Sequence, residues 1–175
     1  MLEDNFLGNL IRRGIPELIV LSAAVIFAVW LYGKISCRVY GGIDSRVVLL
    51  TSGTMLVGPF LIVNGIFKTF WGRARPRDID LFGGSKVFSL PLEISNQCAW
   101  DCSFMSGHTA VAFWLLAPAL LVPKKFRPFA VAAALLFGVT TAVFRIGQGA
   151  HFFSDVAFSA LVMSLLIVAV YRRLF

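Results

Sequence analysis

Apolar residues run in long blocks along this chain, separated by short polar clusters, with few charges interleaved at helical spacing. The runs are Leu18 to Gly33, Val47 to Phe67, Ser103 to Pro123, Pro128 to Phe144 and Phe152 to Tyr171. Each approaches the length of a membrane-spanning helix once its flanks are counted. Trp30, Tyr32, Trp71 and Tyr171 fall at or just beyond run ends, where an amphipathic ring prefers the headgroup layer. The pattern predicts an all-α fold: a polytopic membrane helix bundle of about five transmembrane helices, forming a single domain over residues 1–175. Ahead of the first run, Phe6, Leu7, Leu10 and Ile11 recur at helical spacing beside Arg12 and Arg13. That spacing predicts an interfacial helix over residues 1–15 lying on the bilayer surface.

Composition agrees with the bilayer as solvent. The 175 residues are 58% apolar and 14% charged, with a mean hydropathy of +0.83, too greasy for an ordinary soluble domain. The formal charge of +7 does not point to nucleic acid, because no basic stretch is interleaved with aromatics or set on a polar helix face. Anionic lipid is the better partner. The first run leads into Lys34 and Arg38 instead of a small-residue cleavage site, so the first helix is expected to remain in the protein. Three cysteines are too few for a disulfide framework, and Cys98 and Cys102 lack the companions of a zinc site. These two read either as loop thiols or as a local disulfide; Cys37 reads as a spare thiol.

Five crossings put the Lys68 to Cys102 loop and the Arg145 to His151 link on the N-terminal side. Residues 34 to 46, the Pro123 to Arg127 turn and the C-terminus share the other side. That second side carries Lys34, Arg38, Arg46, Lys124, Lys125, Arg127, Arg172 and Arg173 in short segments, which predicts that it is cytoplasmic. The first side carries as many cations: Arg12, Arg13, Lys68, Arg73, Arg75, Arg77, Lys86 and Arg145. Several of these have a competing explanation in chemistry, and the opposite set does not.

Topology gathers three clusters at one membrane boundary: Lys68 with Arg75-Pro76, then Ser106-Gly107-His108, then Arg145, His151 and Asp155. Lys68, Arg75 and Arg145 offer three fixed charges, suited to a tetrahedral oxyanion held without a divalent cation. Each alone could equally be an interfacial, snorkelling cation. Ser106 and Gly107 open the third helix, where exposed backbone N–H groups attract an anion and glycine allows close approach. His151 and Asp155, four residues apart, are placed for a carboxylate–imidazole hydrogen bond that fixes the tautomer and leaves the other nitrogen free to attack. The plainer alternative for Asp155 is a helix cap or a pair with Arg145. His108, from another helix, can protonate a leaving oxygen.

Lys68-x6-Arg75-Pro76, Ser106-Gly107-His108 and Arg145-x5-His151-x3-Asp155 resemble the three signature motifs of the type-2 phosphatidic acid phosphatase (PAP2) superfamily, over about half the chain. The resemblance implies that His151 is the phosphorylated nucleophile, Asp155 its orienting carboxylate and His108 the general acid. It also implies that Lys68, Arg75, Arg145, Ser106 and Gly107 hold the phosphoryl oxygens, with no metal or other cofactor. Two positions depart from the pattern: Met105 stands where proline commonly precedes Ser-Gly-His, and Phe144 where serine commonly precedes the arginine. Neither removes a charge or the nucleophile. Within the superfamily, Phe70 to Asp78 together with Cys98 and Cys102 is most similar to bacterial lipid A phosphatases.

The expected reaction is therefore hydrolysis of a lipid phosphomonoester through a phosphohistidine, at the periplasmic face of a bacterial inner membrane. Lipid A is the favoured substrate. Phosphatidylglycerophosphate, phosphatidate and undecaprenyl diphosphate stay open, as does transfer to a lipid acceptor. A non-catalytic lipid-phosphate binder is the alternative of another class, and a poised His151–Asp155 pair argues against it.

Overall fold

A computed structural model describes residues 14–175, so nearly all of the interfacial helix expected over residues 1–15 lies outside the described residues. The helices are α1 (Ile15–Ile35), α2 (Ser45–Phe70), α3 (Gly107–Trp114), α4 (Leu116–Leu121), α5 (Arg127–Gly147) and α6 (Phe153–Leu174). Local chemistry sets their ends. Pro16 and Pro128 occupy first turns, where the missing N–H costs nothing. Asp44 caps α2, its Oδ1 accepting from the N–H groups of Arg46 and Val47 at 2.9 Å. Within α2, residues Leu49–Gly53 and Leu56–Phe67 follow a wider π-helical path, and Pro59 sits inside the second stretch.

Among the described residues, four helices, α1, α2, α5 and α6, are long and apolar enough to cross a membrane. The third run, Ser103 to Pro123, differs from its expected form. Its helix begins at Gly107, not Ser103, and breaks at Leu115, leaving Gly107–Leu121 as two short pieces. At 1.5 Å per residue this is roughly 22 Å, against a hydrocarbon core of about 30 Å. The start is lost because Ser103 spends its polar groups on Arg73, Asp155 and His151 and Ser106 serves as the cap of α3.

That short helix is the centre of the bundle. Every α3 residue except His108 is buried, and α3 packs against α1, α2, α5 and α6. This explains its apolar character on all sides without exposure to lipid. At Gly138 of α5 a Cβ would lie 2.7 Å from the Phe113 ring, so glycine is what lets the two helices close. The outer helices instead present Leu18, Leu21, Val25, Leu136, Leu161 and Leu165 outward, an apolar belt that suits a bilayer.

The start of α1, the end of α2, the start of α3, the end of α5 and the start of α6 meet at one end of the bundle. Residues 71 to 106 run over this end as an irregular strap with two short 3₁₀ turns, Pro76–Asp78 and Asp80–Phe82. Phe104 anchors the strap, its ring 5.3–5.4 Å from those of Phe67, Trp71 and Phe158. Such pairs contribute about 0.5–1.5 kcal/mol each beyond area burial. Cys98 and Cys102, open as thiols or a local disulfide from the sequence, are disulfide-bonded within the strap.

Candidate active site

His151 sits just before α6, 1% exposed, between the end of α5 and the Ser103 backbone. Its Nδ1 lies 2.7 Å from the Ser103 carbonyl oxygen, which can only accept, so in the neutral ring Nδ1 carries the proton. Nε2 is then the lone-pair nitrogen, and it meets no hydrogen-bond partner among the described residues. Burial, followed by the positive charges of Arg145, Arg75 and Lys68, holds the imidazole well below its ordinary pKa. The ring is neutral and one nitrogen is free to attack.

The direct hydrogen bond that His151 and Asp155 spacing predicts is not made. Their closest approach is 3.9 Å, Nδ1 to Oδ2, because His151 precedes the helix and its Nδ1–H is taken by Ser103. Asp155 reaches the histidine through that serine. Its Oδ2 accepts from Ser103 Oγ at 2.5 Å and from the Phe152 N–H at 2.9 Å, the second bond being the helix cap considered from the sequence. Its other oxygen pairs with Arg73, whereas Arg145 turns to Gln148, donating from Nη1 to Oε1 at 2.6 Å.

The three cations expected at the site converge there. Lys68 at the end of α2 feels the charges of Arg75 and Arg145. Gly107 faces the same point: a Cβ there would lie 3.8 Å from Lys68 Nζ and 3.3 Å from Asn64 Oδ1. Ser106 caps α3, its Oγ accepting from the Thr109 N–H at 3.4 Å, and its own N–H is directed at the Asp155 carbonyl, 3.4 Å away. His108 is half-buried on the first turn of α3, beside Ile15 and Pro16 of α1, and its charge acts on Asp101.

Asp101 is an addition that the sequence did not single out. Its carboxylate bridges Lys68 Nζ and Arg75 Nη2, each at 2.5 Å, with its side chain 55% exposed. Burial would raise its pKa, but the Lys68 hydrogen bond and the charges of Lys68, Arg75 and His108 outweigh it and hold the carboxyl below its ordinary value. Arg73 and Ser103 are the other residues missed. Arg73 was visible only as one of several cations, although a buried Asp155 demands a charged partner and could have prompted the search. Next to His151 opens a cavity of about 490 Å³ lined by Arg77, Phe82, Gln148, Gly149 and Phe152 among others, large enough for part of a ligand besides a phosphate.

With this geometry in view, comparison with known proteins is specific. The PAP2 superfamily matches residues 46–175, and the chain belongs to that superfamily. It is 32% identical over 173 residues to the lipid A 4'-phosphatase of Francisella tularensis subsp. novicida, covering 98% of this chain and 77% of that relative. It is also 45% identical over 105 residues to the lipid A 4'-phosphatase of Rhizobium leguminosarum and 39% identical over 112 residues to that of Rhizobium etli. Those matches take in 59% and 64% of this chain but only 45% and 44% of the relatives' lengths. No solved structure matches. Family and relatives together make this a multi-pass membrane phosphatase.

Proposed function

We propose that this protein hydrolyses a phosphomonoester of a lipid A-type glycolipid through a phosphohistidine on His151, at the periplasmic face of a bacterial inner membrane. The observation that carries the reading is the state of His151: neutral, with Nδ1 engaged by Ser103 and Nε2 free amid Lys68, Arg75 and Arg145. Nε2 attacks phosphorus and the P–O bond to the lipid breaks. His108 gives its proton to the departing alkoxide. Water, giving a proton to the now neutral His108, then attacks phosphorus and the N–P bond breaks, releasing orthophosphate and restoring both histidines. Charge developing on the phosphoryl oxygens is met by the three cations, by the Ser106 hydroxyl and by the N–H groups at the α3 start from Gly107. Asp101 must release Lys68 and Arg75 for phosphate to take both.

The relatives' names support lipid A as substrate. The disulfide supports the orientation, since Cys98–Cys102 lies on the site's side and such bonds persist in an oxidising compartment. The basic Pro123 to Arg127 turn and C-terminus fit a cytoplasmic opposite side. The test is phosphate release by purified protein from lipid A, phosphatidate, phosphatidylglycerophosphate and undecaprenyl diphosphate, each with EDTA. Preferential release from lipid A, unaffected by chelation, supports the reading; release only on adding Mg²⁺, or preference for another lipid, sinks the corresponding part.

A further inference from the structure

Arg73 is the most deeply buried cation at the site, 1% exposed, yet it lies outside the set that holds phosphate. Its hydrogen bonds and ion pair turn inward. Nε donates to the Ser89 carbonyl at 3.0 Å and Nη1 to Ser154 Oγ at 2.9 Å, and Nη1 also pairs with Asp155 Oδ1. The Phe152 and Phe88 rings flank the guanidinium, with centroids 4.2 and 5.5 Å from Cζ, a favourable cation–π setting. Burial lowers its pKa, opposed by the Asp155 charge; the group stays a cation at neutral pH.

What this cation organises is Ser103. The Ser103 N–H donates to the Arg73 carbonyl at 2.9 Å, its hydroxyl donates to Asp155 Oδ2, and its carbonyl accepts from His151 Nδ1. Every polar group of that residue is committed; the main chain of residue 73 holds its N–H, and the Arg73 guanidinium reaches its hydroxyl through Asp155. A buried carboxylate retains its charge only with a partner, and here the partner is Arg73. Its Nε bond to Ser89 and its contact with the Phe88 ring tie the same assembly to the strap.

We propose that Arg73 is a positioning residue for His151: through Asp155 and Ser103 it fixes the Nδ1–H tautomer and aims Nε2 at the phosphorus. The proposal rests on His151 being the nucleophile. It differs from a phosphate-binding role in what it leaves intact, because Lys68, Arg75 and Arg145 are untouched by its loss.

The test compares the full-length wild type with Arg73→Met, Asp155→Asn and the double variant, in detergent or bilayer. Turnover is read with nitrophenyl phosphate and a lipid phosphomonoester, alongside inhibition by inorganic phosphate. The two histidines of the chain are followed by ¹⁵N NMR. Arg73→Met should lower kcat about 10²-fold, the scale of a misplaced reacting group, and leave phosphate inhibition unchanged. Its His151 signals should shift from a single Nδ1–H tautomer to a mixture while those of His108 stay. Adding Arg73→Met to Asp155→Asn should change kcat by no more than about twofold further, as expected when one residue acts through the other. The double variant also guards against a folding artefact, since it removes both buried charges together. Unchanged His151 tautomer in Arg73→Met, multiplicative losses in the double variant, or weakened phosphate inhibition with kcat intact would each overturn the proposal. A wild type inactive on both substrates would instead overturn the nucleophile reading, and the NMR comparison then decides the Arg73 link by itself.

Discussion

Two arginines two residues apart, Arg73 and Arg75, each meet an aspartate, and the two pairs behave as opposites. Arg73–Asp155 is sealed, with side chains 2% and 0% exposed, flanked by rings and bonded to Ser103, Ser154 and Ser89. Arg75 shares Asp101 with Lys68 at the mouth, where the carboxylate is 55% exposed. A buried pair has no solvent to replace a lost partner, so it holds one geometry. A pair whose carboxylate faces water is cheaper to exchange. The site thus separates a rigid frame that aims the histidine from a set of cations whose resident carboxylate can be traded for phosphate.

The comparison breaks most severely at the histidine it serves. His151→Ala should reduce turnover to background for every substrate, measured by phosphate release, because no covalent intermediate can form. His108→Ala should cost about 10²–10⁴-fold with a lipid alkoxide and much less with nitrophenyl phosphate, whose leaving group departs unprotonated. Equal losses on both substrates would take the acid role from His108.

Stability separates the two pairs more sharply than activity does. Asp155→Ala leaves Arg73 buried and unpaired and should cost about 3–5 kcal/mol of stability, whereas Asp101→Asn should change it by about 0–1 kcal/mol. Thermal unfolding of both variants checks this, and similar losses would erase the distinction. Asp101→Asn should also tighten inhibition by inorganic phosphate a few-fold, on the order of 1 kcal/mol or less, since a competing charge is gone. Weaker inhibition would make Asp101 part of the phosphate site.

Acid sharpens the same contrast at smaller scale. The folded protein keeps His151 neutral below the ordinary imidazole value of 6.5, so in that range the unfolded chain binds more protons. Stability should therefore fall as pH drops from about 6.5 toward the folded value, and the acid limb of kcat/KM assigned to His151 should lie below 6.5. Denaturant titrations and pH–rate profiles read these directly. A His151→Gln variant that keeps the wild-type dependence of stability on pH would assign it elsewhere.

Run lengths and interfacial aromatics disclosed the helices in the sequence, and motif spacing brought Lys68, Arg75, His108, Arg145, His151 and Asp155 to one boundary, because helix ends are local features. What stayed hidden depended on pairing across the chain. Nothing local distinguishes Arg73 from Arg75; their division follows from Asp155 lying in the interior and Asp101 at the rim. The third run looked like a full span because hydropathy cannot see that Ser103 is drawn into bonds with three distant residues. The four-residue spacing of His151 and Asp155 suggested a direct bond, but it assumed helix at both positions, and α6 starts only at Phe153.

Brief reaction with a ³²P-labelled lipid phosphomonoester, quenching and peptide mapping would read the nucleophile without intermediaries. Acid-labile, base-stable label on the peptide containing His151, absent in His151→Ala, is the expected outcome. Label persisting in that variant, or residing on another side chain, would place the chemistry elsewhere.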